Sequence, residues 1–260
     1  MKNKKLILIA GNCAIEDETT TRKTAEKLKE ITDKYDNIEF IFKASYDKAN
    51  RTSNNSLRGV GLETGLGILS RIKAQGIKIL TDTHTVEEAK KVALIADIVQ
   101  IPAFLCRQTD LIHTIGRYAR KVNIKKGQFL SPWDIKYVIE KVEATGNKNI
   151  MITERGTCFG YNNLIVDFRS FMIMKKFGNY PIIFDATHSQ QIPSKGGKSG
   201  GNREFVIPMI KGAIATGYVD GIFIEVHPEP DKAISDSATQ LPLDDMENII
   251  KIISEAWSKI

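Results

Sequence analysis

The segment IEFIFKASYDKANRTS, residues 38–53, changes character at a single position. Ile38 to Phe42 form an apolar run of strand length, Lys43 ends it, and Lys48, Asn50, Arg51, Thr52 and Ser53 follow closely. A buried strand that delivers cations and hydroxyls at its end is expected where one end of a sheet carries the chemistry. An amphipathic segment, LETGLGILSRIKAQ (62–75), comes next. The unit is strand, polar loop, helix.

The same unit recurs along the chain. Strands are expected at KLILIAGNC (5–13), IEFIFKAS (38–45), KILTDTH (78–84), DIVQIPA (97–103), NIKKGQ (123–128), NIMITERG (149–156), PIIFDATHS (181–189) and GIFIEVHPEP (221–230). Each precedes a helical pattern. The first, TTTRKTAEKLKEITDKY (19–35), is expected to be opened by Thr caps; SPWDIKYVIEKVEATG (131–146) has Ser131 as cap and Pro132 at its first position. The sixth is expected at NLIVDFRSFMIMKKFG (163–178). Continuous Ile- and Val-rich strands suit a parallel sheet covered on both faces. An open doubly wound sheet could use such units, but eight pairs in 260 residues favour an α/β fold with a single (β/α)8 TIM barrel over 1–260. The loops after strands two, seven and eight are the long ones.

Net charge is +6 with a pI near 9.0. The lysines are scattered along helix faces without a block of like charge, so the reading is no nucleic acid, and a small anionic substrate accounts for locally placed cations. Cys13, Cys106 and Cys158 form no CxxC and no even framework, as expected of a reduced cytoplasmic protein. The apolar part of the N-terminal stretch, Leu6 to Ala10, is too short for a signal sequence, and no run reaches the length of a membrane span. The expectation is a cytoplasmic enzyme with no membrane partner.

Reading the strand ends in order gives Cys13, Lys43, Asp82, Gln100, Lys125, Arg155, Asp185 with His188, and Glu225. Any single lysine is usually a solvated one. Four cations on one rim, Lys43, Lys48, Lys125 and Arg155, are costly to bury together unless anions meet them, so the expected ligand carries at least two negative charges, a phosphate among them. Arg51, Thr52 and Ser53 form a second polar set. Arg107 opens the fourth helix, where by itself a helix-cap reading is favoured over a second phosphate site.

Cys13, His188, Glu225 and Asp236 offer one thiolate, one imidazole and two carboxylates, which suit a divalent ion such as Zn²⁺ or Fe²⁺. They come from separate loops, and spacing alone leaves Cys13 readable as a small buried hydrophobe. His84 and His227 resemble His188, and periodicity does not choose among them. SQQIPSKGGKSGGNREF (189–205) reads either as a flexible connection or as a lid over a charged pocket.

The fragments FKASYDKANRTS (42–53), QIPAFLCRQTDL (100–111), KKGQFLSPWD (125–134), TERGTCFGYNNLIVDFRS (153–170), FDATHS (184–189) and IEVHPEPDKAISDSATQLPLD (224–244) together resemble the 3-deoxy-D-manno-octulosonate 8-phosphate synthase family. They lie in family order over nearly the whole chain. The sister 3-deoxy-D-arabino-heptulosonate 7-phosphate synthases share the fold and phosphoenolpyruvate site but typically read Lys-Pro-Arg-Thr-Ser; Asn50 here favours the octulosonate family. A non-catalytic sugar-phosphate-binding barrel is the rival of another class.

The resemblance implies condensation of phosphoenolpyruvate with D-arabinose 5-phosphate and water. Lys43, Ser45, Lys48 and Gln100 match positions that hold phosphoenolpyruvate, mainly at its carboxylate end, and Lys125 and Arg155 those that hold its phosphate. Asn50, Arg51 and Thr52 match the sugar-phosphate side, and Arg107 an arginine that reaches it from a neighbouring subunit; family members are usually homotetramers. Cys13 marks the metal-dependent branch, with His188, Glu225 and Asp236 completing the set, so one divalent ion per subunit (Zn²⁺, Fe²⁺ or Mn²⁺) is implied. Cys13, Lys48, Asn50, His188 and Asp236 are thereby the implied catalytic residues. The chain departs from the family at Asn12, where proline is expected, at Asp17, at Cys158, and at Ser194-Lys195, where glycines are expected.

Overall fold

The computed structural model describes residues 4–195 and 198–260. Eight parallel strands, counted among the described residues, succeed one another in chain order: β1 (Leu6–Gly11), β2 (Ile38–Lys43), β3 (Ile79–Asp82), β4 (Ile98–Ile101), β5 (Val122–Lys125), β6 (Ile150–Glu154), β7 (Ile182–Asp185) and β8 (Gly221–His227). β8 returns to β1, with Ile7 opposite Gly221 and Gly11 opposite Glu225, so the sheet closes into the (β/α)8 TIM barrel expected from the repeat. The helices are α1 (Glu18–Thr32), α2 (Leu62–Ala74), α3 (Val86–Ile95), α4 (Thr109–Tyr118), α5 (Ile135–Glu143), α6 (Arg169–Lys175), α7 (Val206–Ala215) and α8 (Met246–Trp257). No helix among the described residues is long and apolar enough to cross a membrane.

Two apolar clusters follow from the period of two along a strand. Leu6, Leu8 and Ala10 join the large cluster between strands and helices. Ile7 and Ile9 join Ile41, Leu80, Ile98, Met151, Ile183 and Phe223 in a smaller one inside the barrel. Moving two residues toward the C-terminal end from the inner apolar positions gives Lys43, Asp82, Gln100, Asp185 and Glu225. Gly11 occupies that place in β1, because a Cβ there would lie 2.1 Å from the Lys43 carbonyl oxygen.

Several local expectations are corrected. Helix α1 is capped by Asp17, whose carboxylate accepts from the Thr20 amide at 2.7 Å, and not by the threonines behind it. This gives one of the unusual residues a clear local role. The sixth helix begins at Arg169, six residues later than expected: Leu164–Ile165 pairs antiparallel with Thr157–Cys158, and the Asp167 carboxylate then accepts from the Arg169 amide. A short apolar run satisfied by a hairpin had the look of a helix start. Arg107 precedes α4, which starts at Thr109. Glu225 does not end β8; the strand continues to His227.

The loop after β7 folds into a hairpin, Gln191–Lys195 against Lys198–Gly201. Gly196 and Gly197, and the Ser194 and Lys195 side chains on which the lid reading also rests, lie outside the described residues.

Candidate active site

The C-terminal ends of the strands open on a cavity of about 600 Å³. Its wall brings together Lys43, Lys48, Asn50, Arg51, Thr52, Asp82, Gln100, Lys125, Arg155, His188 and Asp236 from the residues read at the strand ends and loops, and adds His84, Gln128 and Gln191. Lys43, Lys125 and Arg155 are 1%, 5% and 6% exposed, so these cations converge inside the protein rather than splaying into solvent. Ser45 does not reach the wall; it is fully buried and its hydroxyl lacks a partner among the described residues. Arg107 is exposed and lines a separate, smaller cavity with Leu130, Asp134, Tyr137, Val138 and Lys141.

Phe223 supports the cations from within the barrel. The Lys125 ammonium stands 3.9 Å from its ring centroid and the Lys43 ammonium 5.7 Å. The electron-rich ring face partly replaces the water each ammonium has lost. Lys43 Nζ also donates to Glu225 Oε1 at 2.9 Å and to the Cys13 carbonyl at 3.1 Å. Lys125 Nζ lies 2.6 Å from Asp185 Oδ2. Burial lowers the Lys125 pKa more than the Asp185 carboxylate raises it. Burial likewise lowers Arg155, which donates to Gln191 Oε1 at 2.7 Å and so ties the base of the hairpin to the pocket.

Beside the cations lies a compact donor group. One ligand atom from each of Cys13, His188, Glu225 and Asp236 can be chosen so that all lie within 4.8 Å of one another. His188 Nε2 is 3.3 Å from Glu225 Oε1 and 3.8 Å from Asp236 Oδ2, and the Cys13 thiol donates to Asp236 Oδ2 at 3.2 Å. On its other side His188 Nδ1 faces Asp185 Oδ2 at 2.8 Å, the carboxylate–imidazole arrangement that orients a metal-binding histidine. Neither His84, held between Asp82 and Glu88, nor His227, facing Glu16, joins the group.

The electrostatics fit a cation at this point. Burial, followed by the Asp236 and Glu225 carboxylates, pushes the Cys13 thiol well above its ordinary pKa. Glu225 Oε2 is buried with no hydrogen-bond partner among the described residues. A divalent ion would answer both, drawing the thiol into its thiolate form and occupying the orphaned oxygen. Burial alone would raise the Glu225 and Asp185 carboxyls, yet the surrounding His188 and lysines hold both far below the usual carboxylate range. Asp236 has a positive φ of 48°, a left-handed conformation uncommon for a non-glycine residue, set by the loop after β8.

Around the pocket is a supporting layer that sequence reasoning passed over. Lys126, fully buried, donates to the carbonyls of Gly127 and Leu130 and lies 3.4 Å from Glu154 Oε1, which accepts from the Gly156 amide. It stitches the loop after Lys125 to the loop carrying Arg155. The signal was the pair Lys125-Lys126: adjacent residues on an extended chain point to opposite sides. Asn12 is buried as well, its amide donating to Thr24 Oγ1 and the Val226 carbonyl, both at 3.3 Å.

Residues 2–260 match the family model described as the DAHP synthetase I family. The chain is 52% identical over 251 residues to the 2-dehydro-3-deoxyphosphooctonate aldolase of Geobacter metallireducens, covering 96% of this chain and 91% of that protein. It is 53% identical, with the same coverage, to the protein of that name from Geotalea uraniireducens. For the Nitrosococcus oceani protein of the same name the figures are 51% over 253 residues, 96% and 89%. With a match that runs through every barrel strand, the chain belongs to the DAHP synthetase I family.

Proposed function

We propose that this chain is a transferase that condenses phosphoenolpyruvate with D-arabinose 5-phosphate and water. The products are 3-deoxy-D-manno-octulosonate 8-phosphate and inorganic phosphate, a step of lipopolysaccharide biosynthesis. The observation that carries the reading is the convergence of buried Lys43, Lys125 and Arg155 on one cavity beside the Cys13–His188–Glu225–Asp236 group. The relatives' printed name, 2-dehydro-3-deoxyphosphooctonate aldolase, supports the same substrate class.

Two phosphorylated substrates repel each other, and a pocket lined by cations offsets that repulsion and holds the reacting carbons in line. Lys43, Lys48 and Gln100 grip the carboxylate end of phosphoenolpyruvate, and Lys125 and Arg155 its phosphate. Asn50, Arg51 and Thr52 take the sugar phosphate at the far side of the cavity. C3 of phosphoenolpyruvate bonds to the aldehyde carbon, whose oxygen gains negative charge and then a proton. Water adds to C2, and phosphate departs with the C–O bonding pair. Fixed donors at the aldehyde oxygen stabilise its charge in a site that excludes bulk water.

Cys13, His188, Glu225 and Asp236 would hold one divalent ion, Zn²⁺, Fe²⁺ or Mn²⁺, which supplies Lewis-acid charge for orienting the aldehyde or the water. The protein acts as one catalytic barrel domain in the cytoplasm and as a homotetramer. Arg107, outside its own cavity and exposed, serves the sugar phosphate of a neighbouring subunit.

The test is phosphate release from phosphoenolpyruvate with each of two aldoses. Turnover with arabinose 5-phosphate and little with erythrose 4-phosphate is expected. The reverse preference assigns the heptulosonate reaction, and binding without turnover assigns a non-catalytic sugar-phosphate barrel.

A further inference from the structure

Inside the barrel a polar chain crosses three strands, with Gln100 and Thr153 two positions beyond the inner Ile98 and Met151 and Asn123 two positions before Lys125. Thr153 Oγ1 on β6 donates to Asn123 Oδ1 on β5 at 2.8 Å, and Asn123 Nδ2 donates to Gln100 Oε1 on β4 at 3.0 Å. Thr153 and Asn123 are fully buried and Gln100 is 3% exposed, where the inner apolar layer of Ile98 and Met151 meets the charged end of the barrel. Gln100 is also the one member of the chain that lines the cavity.

A buried amide costs free energy unless its groups are paired, so a polar residue in this layer requires a reason. The directions supply it. An amide has distinct donor and acceptor ends, and each link constrains the next. With Asn123 Oδ1 accepting from Thr153, its Nδ2 points to Gln100 and engages the Gln100 carbonyl. The Gln100 Nε2, with no protein partner among the described residues, is left for the cavity as a donor. Reversing the chain would aim the Gln100 carbonyl at the anion and replace attraction by repulsion.

The geometry points to Asn123 as a positioning residue that fixes the polarity of Gln100, so that an NH₂ group and not a carbonyl meets the anionic substrate. Asn123 does not touch that substrate. The inference rests on phosphoenolpyruvate being the ligand next to Gln100, as set out above.

The test measures phosphoenolpyruvate binding by calorimetry, and KM and kcat, in the metal-loaded protein and in Asn123→Leu, Gln100→Leu and the double variant. A hydrogen bond to a charged group corresponds to roughly 10- to 100-fold in affinity. Asn123→Leu is expected to raise Kd and KM for phosphoenolpyruvate by about as much as Gln100→Leu, with kcat changing by much less. The double variant should be no worse than either single one. Multiplying effects in the double variant, or a loss confined to kcat, overturns the inference, since a general packing defect does not depend on Gln100. If Asn123→Leu does not fold, Thr153→Val decides: a smaller rise in KM that vanishes in the Gln100→Leu background supports the relay, and an unchanged KM overturns it. Wild-type protein that fails to bind phosphoenolpyruvate sinks the proposed function and this inference together, whereas normal binding by wild type and Asn123→Leu alike sinks only the inference.

Discussion

Lys43 and Glu225 meet on either side of β1, Nζ to Oε1 at 2.9 Å, with side chains 2% and 0% exposed. One carboxylate therefore belongs both to the cation rim and to the four-residue donor group. Lys48 approaches the same oxygen at 3.8 Å and His188 Nε2 at 3.3 Å. The cation rim and the donor group thus share a single side chain, and under the proposed function anion and metal binding are expected to be coupled through it.

Glu225→Gln tests that coupling. The amide keeps an acceptor for Lys43 but loses the charge that both Lys43 and a metal need. Metal affinity should fall at least about 10- to 100-fold, and KM for phosphoenolpyruvate should change with it. Metal content of the purified variant and steady-state kinetics in excess metal separate the two effects; normal metal content would break the proposed ligand set.

Removal of the ion should abolish turnover, and Zn²⁺, Fe²⁺ or Mn²⁺ should restore it. Cys13→Ser is expected to lose most activity in metal-replete buffer. Cys13→Asn should keep partial turnover without metal, because a neutral amide fills the thiolate's place without leaving an unpaired charge. Unchanged wild-type rates after exhaustive chelation would exclude metal dependence, and an inert Cys13→Asn would exclude the second expectation.

Arg51 donates to Ser235 Oγ at 2.6 Å and to the Ile234 carbonyl at 2.8 Å, next to the loop's Asp236. For Arg51→Ala the KM for arabinose 5-phosphate should rise roughly 10- to 100-fold, the loss of a charge-assisted contact, while the KM for phosphoenolpyruvate rises less. Equal effects on both substrates would contradict its place on the sugar-phosphate side.

Lys126→Met leaves Glu154 buried without its cation. Breaking one half of a buried pair costs about 3–5 kcal/mol, read as a lower urea midpoint. Adding Glu154→Gln should recover part of that loss, since the remaining carbonyl still accepts from Gly156. A midpoint within error of wild type for Lys126→Met would show that the pair is not a structural tie.

Acid stability has a local contributor at the base of β8. Burial favours a protonated Asp220, but hydrogen bonds from Lys175, Lys4 and the Ile182 amide outweigh it and hold the carboxyl below its ordinary pKa. A depressed folded-state pKa contributes stability above the unfolded value of about 3.9, and this is lost as pH falls through the folded value. Asp220→Asn should therefore cost about 2 kcal/mol near neutrality, with the gap to wild type closing below about pH 4. A gap independent of pH in urea titrations would remove Asp220 from the acid response.

Strand ends were legible because alternation and burial act locally: Ile41 before Lys43, Leu80 before Asp82 and Phe223 before Glu225 place like with like on the barrel axis. The late start of α6 was not, since Leu164–Ile165 is apolar in either a strand or a helix and only its pairing with Thr157–Cys158 decides. Lys126 and Asn123 were also missed. A lysine or asparagine near a strand end reads the same whether it meets solvent, a substrate or, as with Lys126, a glutamate from the next strand.

From residues alone came the repeated strand–helix unit, the closed barrel, and the concentration of charge at one end of it, all consequences of period, length and apolar content. How closely His188, which the family resemblance already implied, approaches Glu225 and Asp236, how one carboxylate serves both cation and donor group, and which way an amide inside the barrel points were decided only when the sheet closed. These depend on distances between residues as far apart in sequence as Cys13 and Asp236, whose approach to 3.2 Å is a property of the folded barrel and of no local segment.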